Sequence, residues 1–210
     1  MKPEQTNPAV SMTETGTKRR PEGSVRLWDV HHYYEIFKRQ FDTSECQQII
    51  DLHRRSTAIQ SIMPGPAGLT LRESDLFWVP RLPDSEWVYS RLWNVVALYN
   101  AKYGFELSDN IGQAQLTRYR SGQHYDWHMD LGPGQLSLRK ITVVVELVPR
   151  DLVEGGGLEI FYGDLLENKV DLDAGDIVVF PSFVMHRAAM VMSGTRWSLV
   201  LWLNGTRPLE

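Results

Sequence analysis

Two histidines and one aspartate in this sequence could together hold a divalent metal ion. His128 and Asp130 are separated by a single residue, and His186 lies far downstream, a few residues after an apolar run that ends at Pro181. Two imidazoles and one carboxylate form the facial ligand set that suits non-haem Fe(II), because the remaining coordination positions stay open. A structural zinc site would require a fourth tight protein ligand. The pattern therefore predicts a metal centre that is open to substrates.

The ligand prediction depends on strand geometry. Residues two apart on a β-strand point to the same face, so His128 and Asp130 can address one ion if both lie on the strand predicted there. His186 opens the seventh predicted strand, and the second and seventh strands of a jelly roll can be neighbours. His124 faces the same way as His128, but four residues along a strand span ~13 Å, which is too far for His124 to share the ion. The alternative is three unrelated polar residues at strand ends.

An arginine and a serine on the last predicted strand could bind a carboxylate. Arg196 lies ten residues after His186, and Ser198 shares its face of the strand. A buried guanidinium offers a planar fork that matches a carboxylate in a bidentate pair, and a hydroxyl can donate a further bond. The distal carboxylate of 2-oxoglutarate would require this arrangement, and Tyr119 on the first predicted strand can add a phenolic donor. The alternative is a surface arginine at the start of a strand.

Length and composition favour one globular protein in a reducing compartment. The chain has 210 residues, of which 42% are hydrophobic, and this is enough for one full core. The net charge of -4 argues against a nucleic-acid partner, since nucleic-acid-binding domains carry a basic excess. The single cysteine, Cys46, excludes an internal disulfide framework. No secretory signal or membrane-spanning apolar run is visible, so we expect a cytoplasmic protein with no membrane partner. Its oligomeric state is not specified.

The chain is expected to divide into a tail and one folded domain. Residues 1–23 are rich in Pro, Thr, Glu, Lys and Gly and bury too little surface to become ordered, so they are expected to form a flexible tail. The domain is expected to span 24–210. Its strand-rich core is expected at about 112–205, where the period of the apolar residues changes from helical to strand-like.

Two helices are predicted ahead of this core. Asp42–Glu45 is typical of a helix start, because short polar side chains cap free N–H groups and a glutamate follows three residues after the aspartate. A second helix is expected to open at Asp84 or Ser85, to carry one apolar stripe and to end near Gly104. Two prolines and two glycines in Ser61–Gly68 predict a loop between the helices.

Eight short strands are predicted after Gly112, separated by turns that contain glycine, proline and aspartate. Eight strands with such turns favour a double-sheet jelly roll, with the two helices against one outer face. The predicted fold class is therefore mainly β with flanking helices, a jelly roll preceded by two helices. The strands are expected at 114–120, 124–130, 139–148, 157–162, 169–173, 176–181, 186–192 and 196–204.

The order of these residues matches a known family. The metal ligands and Arg196, with the glycine-rich Gly156–Phe161 and the apolar Ala174–Pro181 between them, resemble the Fe(II)/2-oxoglutarate dioxygenases of the prolyl-4-hydroxylase-like superfamily. The resemblance extends from Phe41 to Asn204 and is strongest in the strand-rich core. It implies a double-stranded β-helix that holds Fe(II) through the two histidines and the aspartate. It also implies 2-oxoglutarate and O2 as cosubstrates.

The resemblance implies roles for further residues. Arg196 would bind the distal carboxylate of 2-oxoglutarate, with Tyr119 in place of the family's first-strand tyrosine and Ser198 as the partner of the arginine. Trp202 falls where relatives carry a tryptophan near the iron pocket. Glu146 is a departure, because prolyl hydroxylases often carry a second cosubstrate tyrosine there. A carboxylate cannot donate to another carboxylate unless it is protonated, so Glu146 is expected to face away or to have another role.

The implied reaction is hydroxylation of an unactivated C–H bond, with succinate and CO2 as coproducts. We expect a small-molecule or peptide substrate, with an amino acid or a peptidyl side chain as the group that is hydroxylated. Arg72 and Arg81, in a segment from Ser61 to Arg81 that could form a lid, and Arg120 at a strand end, could bind an anionic substrate. The alternative for each of these arginines is solvated surface charge.

Two other functions stay open at this point. The first is a non-oxidative, cupin-like metal-binding jelly roll, in which Arg196 has no ligand. The second is an AlkB-type nucleic-acid demethylase. Those enzymes usually carry a second arginine six residues past the cosubstrate arginine, where this chain has Trp202. The acidic net charge also disfavours this second alternative.

Overall fold

The computed structural model of the chain describes residues 34–109, 111–161 and 169–208, and its largest element is a curved antiparallel sheet of ten strands. A separate two-stranded sheet and two α-helices accompany it in the described part of the chain. The tail predicted at residues 1–23 lies outside the described residues. The predicted fold class, mainly β and jelly-roll-like with two helices, is confirmed.

Helix α1 spans Thr43–Asp51 and helix α2 spans Glu86–Tyr103. Short 3-10 turns lie at Leu52–Arg55, Pro66–Gly68, Gly134–Leu138 and Arg150–Leu152. The strands in chain order are β1 (Glu35–Phe37), β2 (Ile59–Pro64), β3 (Thr70–Val79), β4 (Ala114–Arg120), β5 (His124–His128), β6 (Arg139–Glu146), β7 (Glu154–Gly155), β8 (Leu158–Ile160), β9 (Ile177–Pro181), β10 (His186–Ala188), β11 (Val191–Ser193) and β12 (Thr195–Asn204).

Both helices begin close to the predicted positions, and helix α2 also ends where the sequence predicts. The side chain of Asp42 accepts a hydrogen bond from the backbone N–H of Glu45, and the Glu45 carboxylate accepts one from the backbone N–H of Asp42. This reciprocal pair satisfies two N–H groups that have no partner inside helix α1. Helix α2 ends at Gly104, whose φ of 69° lies in the left-handed region that glycine adopts without steric cost.

The strands of the large sheet follow the order β1-β9-β6-β12-β4-β3-β5-β10-β8, and β2 pairs with β3. Strand β3 changes its partner along its length: residues 75–79 pair with β4, and residues 72–73 pair with β5. The sheet bends there, so that β6, β12 and β4 face β5, β10 and β8. Side chains from both halves line one cavity.

The main hydrophobic core lies between the two helices and the outer face of one half of the sheet. Leu92 and Tyr99 of α2 pack with Leu116, Val143 and Leu201 of the sheet, and all five are almost completely buried. The helices therefore brace one outer face of the sheet, as the sequence predicts. The opposite, concave face is left for the cavity. Among the described residues, neither helix is long and apolar enough to cross a bilayer.

Several boundary predictions are wrong in the first half of the chain. The first half of the loop expected at Ser61–Gly68 belongs to strand β2, which continues to Pro64 before the turn into β3. Its residues are mostly exposed, and an edge strand of this kind tolerates proline because one side of it carries no partner strand. Strands β1 and β3 were not predicted either, and β3 runs through part of the segment that the sequence suggested as a lid.

The strand-rich core also departs from prediction at three places. Strand β5 ends at His128, so Asp130 lies beyond it. In place of the strand expected at 169–173, the structure has a single bridge between Lys169 and Glu159. The strand expected at 186–192 divides into β10 and β11, which belong to different sheets. Irregular backbone thus replaces the end of one predicted strand, nearly all of the second and the middle of the third.

Candidate metal and cosubstrate site

The two histidines and the aspartate meet at one end of the cavity. His128 on β5 and His186 on β10 are directly opposite each other in the antiparallel register, and their ring centroids are 4.2 Å apart. Nε2 of His128 lies 3.7 Å from Oδ1 of Asp130, and Nε2 of His186 lies 3.5 Å from Oδ2. One potential ligand atom from each residue falls within 4.8 Å of the others. The pairing of the second and seventh predicted strands brings the ligands together.

Both imidazoles are oriented by backbone carbonyl groups. Nδ1 of His128 lies 2.7 Å from the carbonyl oxygen of Asp126, and Nδ1 of His186 lies 2.9 Å from that of Val184. A carbonyl can only accept, so Nδ1 carries the proton in each ring and Nε2 has a free lone pair. Burial, followed by the neighbouring His186, lowers the pKa of His128 to about 4. The imidazole of His128 is therefore neutral near pH 7, as metal ligation requires.

Asp130 is placed by a neighbouring turn rather than by strand β5. The backbone N–H groups of Asp130 and Leu131 donate to the carbonyl oxygen of Ser182 at 3.0 and 2.9 Å, in the turn between β9 and β10. The hydroxyl of Thr142 donates to Oδ2 of Asp130 at 2.7 Å and lies 3.0 Å from the hydroxyl of Ser182. These contacts correct the expected same-face geometry: the carboxylate turns toward the histidines because the backbone leaves the strand.

The donor set fits Fe(II). Among the described residues, this is the one group of three metal-binding side chains that lies close enough for a shared ion. Two neutral nitrogens and one carboxylate on one side leave the opposite coordination positions open, which is the arrangement of non-haem Fe(II) sites. The hydrogen bonds at Nδ1 of each histidine and at Oδ2 of Asp130 are contacts of the kind that orient metal ligands.

The four predicted cosubstrate residues also line the cavity. Arg196, Ser198 and Trp202 lie on β12, and Tyr119 lies on β4 opposite Arg196 in the register. The centre of the Arg196 guanidinium is 5.6 Å from the centroid of the Tyr119 ring. The cavity has a volume of about 200 Å³. The triad and the arginine therefore line one cavity.

Arg196 already has a carboxylate partner, which is Glu146. Nε of Arg196 donates to Oε2 of Glu146 at 2.9 Å, and Nη2 lies 2.9 Å from the same oxygen. Nη2 nevertheless has no hydrogen-bond acceptor with suitable geometry. Both side chains are at least nine-tenths buried. Burial raises the pKa of Glu146, while Arg196 and two backbone N–H groups oppose that rise.

Arg72 is a second buried arginine in the cavity wall. Its exposed fraction is 8%, its Nε donates to the hydroxyl of Ser74 at 2.9 Å, and its guanidinium lies 4.5 Å from the centroid of the Tyr125 ring. Tyr125 in turn stacks on His128, with ring centroids 3.5 Å apart. Within the described ranges Arg72 forms no ion pair, whereas Arg118 and Arg120 share Asp75.

The other two arginines suggested for substrate lie elsewhere. Arg81 pairs with Glu86 at the start of α2 and lines a separate groove. Arg120 is exposed at the end of β4 and pairs with Asp75. The structure thus brings only Arg72 of these three to the cavity, and the other two match the alternative of surface charge.

Several residues around the site were not predicted. Thr142, which binds the metal-site carboxylate, and Tyr125, which stacks on His128, were missed. Arg139 was also missed, and its guanidinium lies 3.9 Å from the centroid of the Trp202 ring and donates to the Asp130 carbonyl. The pattern of β6 could have identified Thr142, because it is the one polar position within the run Ile141–Val145.

A family model described as the 2OG-Fe(II) oxygenase superfamily matches residues 114–204, the segment that carries the triad and Arg196. This segment is similar to the 2OG-Fe(II) oxygenase superfamily, and the resemblance seen in the motif order is confirmed. The similarity implies Fe(II) with 2-oxoglutarate and O2, and the triad provides side chains that could bind the iron.

Two curated relatives are PKHD-type hydroxylases. The chain is 34% identical over 101 residues to one from Prochlorococcus marinus (strain AS9601), covering 48% of this chain and 45% of the relative. It is 30% identical over 141 residues to one from Teredinibacter turnerae, covering 62% and 61% respectively. The matched region thus spans less than two thirds of either relative.

Solved structures share the fold at low sequence identity. A prolyl-4-hydroxylase from Pseudomonas putida superposes with a TM-score of 0.65 at 19% identity, covering 84% of this chain and 94% of that chain. A prolyl hydroxylase from Trichoplax adhaerens, in complex with a hypoxia inducible factor peptide fragment, superposes with a TM-score of 0.66 at 18% identity, covering 85% and 86%. These matches support the fold assignment alone.

Proposed function

We propose that this protein is an Fe(II)- and 2-oxoglutarate-dependent dioxygenase that hydroxylates an unactivated C–H bond of an amino acid or a peptidyl side chain. The proposal rests mainly on one arrangement: an open-faced triad and a buried guanidinium with a free N–H line the same cavity. A cupin-like protein with a structural metal has no need for that guanidinium. The family comparisons favour neither the cupin-like nor the AlkB-type alternative.

In this proposal, His128, Asp130 and His186 hold the iron, and Arg196 binds the distal carboxylate of 2-oxoglutarate. Tyr119 and Ser198 lie beside Arg196, and their hydroxyls can donate to the same carboxylate. Bound iron, with 2-oxoglutarate and O2, supplies the oxidising power for hydroxylation and releases succinate and CO2. The chain itself orients the cosubstrate and excludes water from the buried end of the cavity.

The charges of the cavity suggest an anionic substrate. Its lining contains three arginines, Arg72, Arg139 and Arg196, against the carboxylate of Asp130, while Glu146 neutralises Arg196 from behind. A divalent ion and a dianionic cosubstrate cancel each other. Arg72, which forms no ion pair within the described residues, is therefore left without an anionic partner whether Glu146 is ionised or carries a proton. Buried charge is costly unless it is paired. Arg72 therefore favours a substrate that carries a carboxylate.

The dioxygenase assignment is tested by titrating the apo-protein with Fe(II) and 2-oxoglutarate without oxygen. We expect the weak visible metal-to-ligand charge-transfer band in the wild type and no band in the His186→Ala variant, because the chelate requires the third ligand. A folded, metal-loaded wild type that shows no band would contradict the assignment and favour the cupin-like alternative.

The substrate class is tested with amino acids and short peptides, each supplied as the free carboxylate and as the amide. We expect carboxylate forms to stimulate succinate release more than their amides, by about tenfold for one lost ion pair. Arg72→Gln should remove that preference. Arg81→Gln is the matched control, since Arg81 pairs with Glu86 outside the cavity, and it should keep the preference. A preference for carboxylates that persists in Arg72→Gln would exclude Arg72 as the binding residue.

A further inference from the structure

The Arg196–Glu146 ion pair forms part of the wall between two cavities. Arg196 lines both the cavity of the triad and a second cavity of about 140 Å³, whereas Glu146 lines only the second one. Glu146 approaches the guanidinium from the side that faces away from the triad. The guanidinium of Arg196 also borders the cavity of the triad, and it is the group that a carboxylate entering that cavity can use.

A carboxylate that binds Arg196 creates an imbalance of charge. Before binding, the buried arginine and glutamate are neutral as a pair. After binding, two carboxylates share one guanidinium, and the excess negative charge lies in a region that is almost completely closed to water. Two carboxylates at one site cannot both remain ionised without a large cost, so the proton affinity of one must rise. Burial already raises the pKa of Glu146, so we expect Glu146, rather than the distal carboxylate of the cosubstrate, to take the proton.

We propose that Glu146 positions Arg196 for 2-oxoglutarate and takes up one proton when the distal carboxylate of 2-oxoglutarate binds. This inference rests on the proposed function. The proton is released by the buffer, reaches Glu146 through the second cavity and bonds to one of its carboxylate oxygens. The ion pair with Arg196 becomes a hydrogen bond from the guanidinium to a neutral carboxyl group. Arg196 stays charged and forms its ion pair with the cosubstrate carboxylate instead. The total charge of the buried group is then the same before and after binding.

The surroundings of Glu146 support this role. The cations that face it are Arg196 from β12, and Arg150 and Lys169 around the second cavity. The thiol of Cys46 on helix α1 lies near both Glu146 and the carboxylate of Asp176. Burial raises the pKa of this thiol to about 11. Burial also raises the pKa of Glu146 itself. Among these groups, Glu146 is the one in direct contact with Arg196.

Proton uptake makes cosubstrate affinity depend on pH in a defined direction. Affinity is constant below the pKa of Glu146 in the free protein and falls up to about tenfold per pH unit until the higher pKa of the bound state is reached. Glu146→Gln removes the titration and keeps an oxygen that accepts from Arg196. This variant should bind 2-oxoglutarate with a dissociation constant that does not change with pH, and at high pH it should bind more tightly than the wild type.

The experiment is an anaerobic titration of the Fe(II)-loaded full chain with 2-oxoglutarate at several pH values from about 6 to 8.5, a range above the ordinary pKa of a carboxyl group. Binding is read from the charge-transfer band. Calorimetry in two buffers of different ionisation enthalpy counts the protons taken up, with up to one expected for the wild type and none for Glu146→Gln. The matched control is Glu159→Gln, whose carboxylate accepts from Arg187 outside the cavity, and it should behave like the wild type.

The possible outcomes separate this inference from the proposed function. A wild-type protein that shows no band at any pH contradicts the proposed function itself. A normal band with an affinity that is independent of pH, or a Glu146→Gln variant that keeps the wild-type pH dependence, overturns the role of Glu146 alone. Uniformly weaker binding in Glu146→Gln would also overturn it, because the amide retains the hydrogen bond.

Discussion

Arg196 and Arg72 are both buried in the wall of the same cavity, but only Arg196 has a carboxylate beside it. Arg196 is held by Glu146, while Arg72 rests on the ring of Tyr125 and the hydroxyl of Ser74. A guanidinium that is paired with a carboxylate is held in one orientation, and its remaining N–H groups can donate to a second acceptor. The charge of an unpaired guanidinium is not neutralised by the protein, so it can form an ion pair with a ligand. Under the proposed function, Arg196 is therefore a fixed contact for the cosubstrate, whereas Arg72 is free to form an ion pair with an anionic substrate.

The largest effect that tests this comparison is on stability. Arg196→Met leaves Glu146 buried without its cation, and breaking a buried ion pair from one side costs roughly 3–5 kcal/mol. We expect the urea midpoint to fall accordingly. The double variant Arg196→Met/Glu146→Leu should recover most of the loss, and neither variant should show the 2-oxoglutarate band. An undiminished stability of Arg196→Met would mean that the pair is not formed in solution.

A smaller effect is expected at Tyr119, which lies within electrostatic reach of both arginines. Burial raises the pKa of its hydroxyl, and Arg72 and Arg196 both oppose that rise. Tyr119→Phe should weaken 2-oxoglutarate binding by at least about tenfold, because one hydrogen bond to a charged group contributes about 1.5–3 kcal/mol. The measurement is the same anaerobic titration. Unchanged 2-oxoglutarate affinity, together with a weaker preference for carboxylate substrates, would assign the hydroxyl to the Arg72 side.

The smallest effect is expected for the stability of Arg72→Met. This change removes a hydrogen bond to Ser74 and the contact with Tyr125, which together contribute about 1–2 kcal/mol, but it also removes a buried charge that has no counter-ion. The two contributions offset each other, so we expect a change in unfolding free energy of less than about 1 kcal/mol. A loss comparable to that of Arg196→Met would show that Arg72 has a partner in the folded protein.

The sequence predicted strand β4 well and strand β3 poorly. Strand β4 has the predicted boundaries, because its buried positions and the turns on either side are clear in the residue pattern. Strand β3 was missed since several of its buried residues, Arg72, Ser74 and Asp75, are polar. A strand that lines a polar cavity reverses the usual rule of apolar residues inside.

The candidate site was predicted better than the strands that build it. The ligand residues could be recognised by type and spacing, and the antiparallel register then brings His128 opposite His186. The role of Glu146 could not be predicted, because its contact with Arg196 depends on the pairing of β6 with β12 across 50 residues. The position of Asp130 likewise depends on a hydrogen bond to Ser182, which is remote in sequence.

The backbone hydrogen bonds of the two histidines bear on which ion the protein acquires. Nδ1 of each ring is hydrogen-bonded to a backbone carbonyl oxygen, so the two imidazoles are oriented before any metal binds. This orientation does not select iron over other divalent metals. Sites of this composition bind cobalt, nickel and copper more tightly than ferrous iron. Cells grown with excess nickel should therefore yield mismetallated protein, and the supply of metals during synthesis would decide how much of it is active.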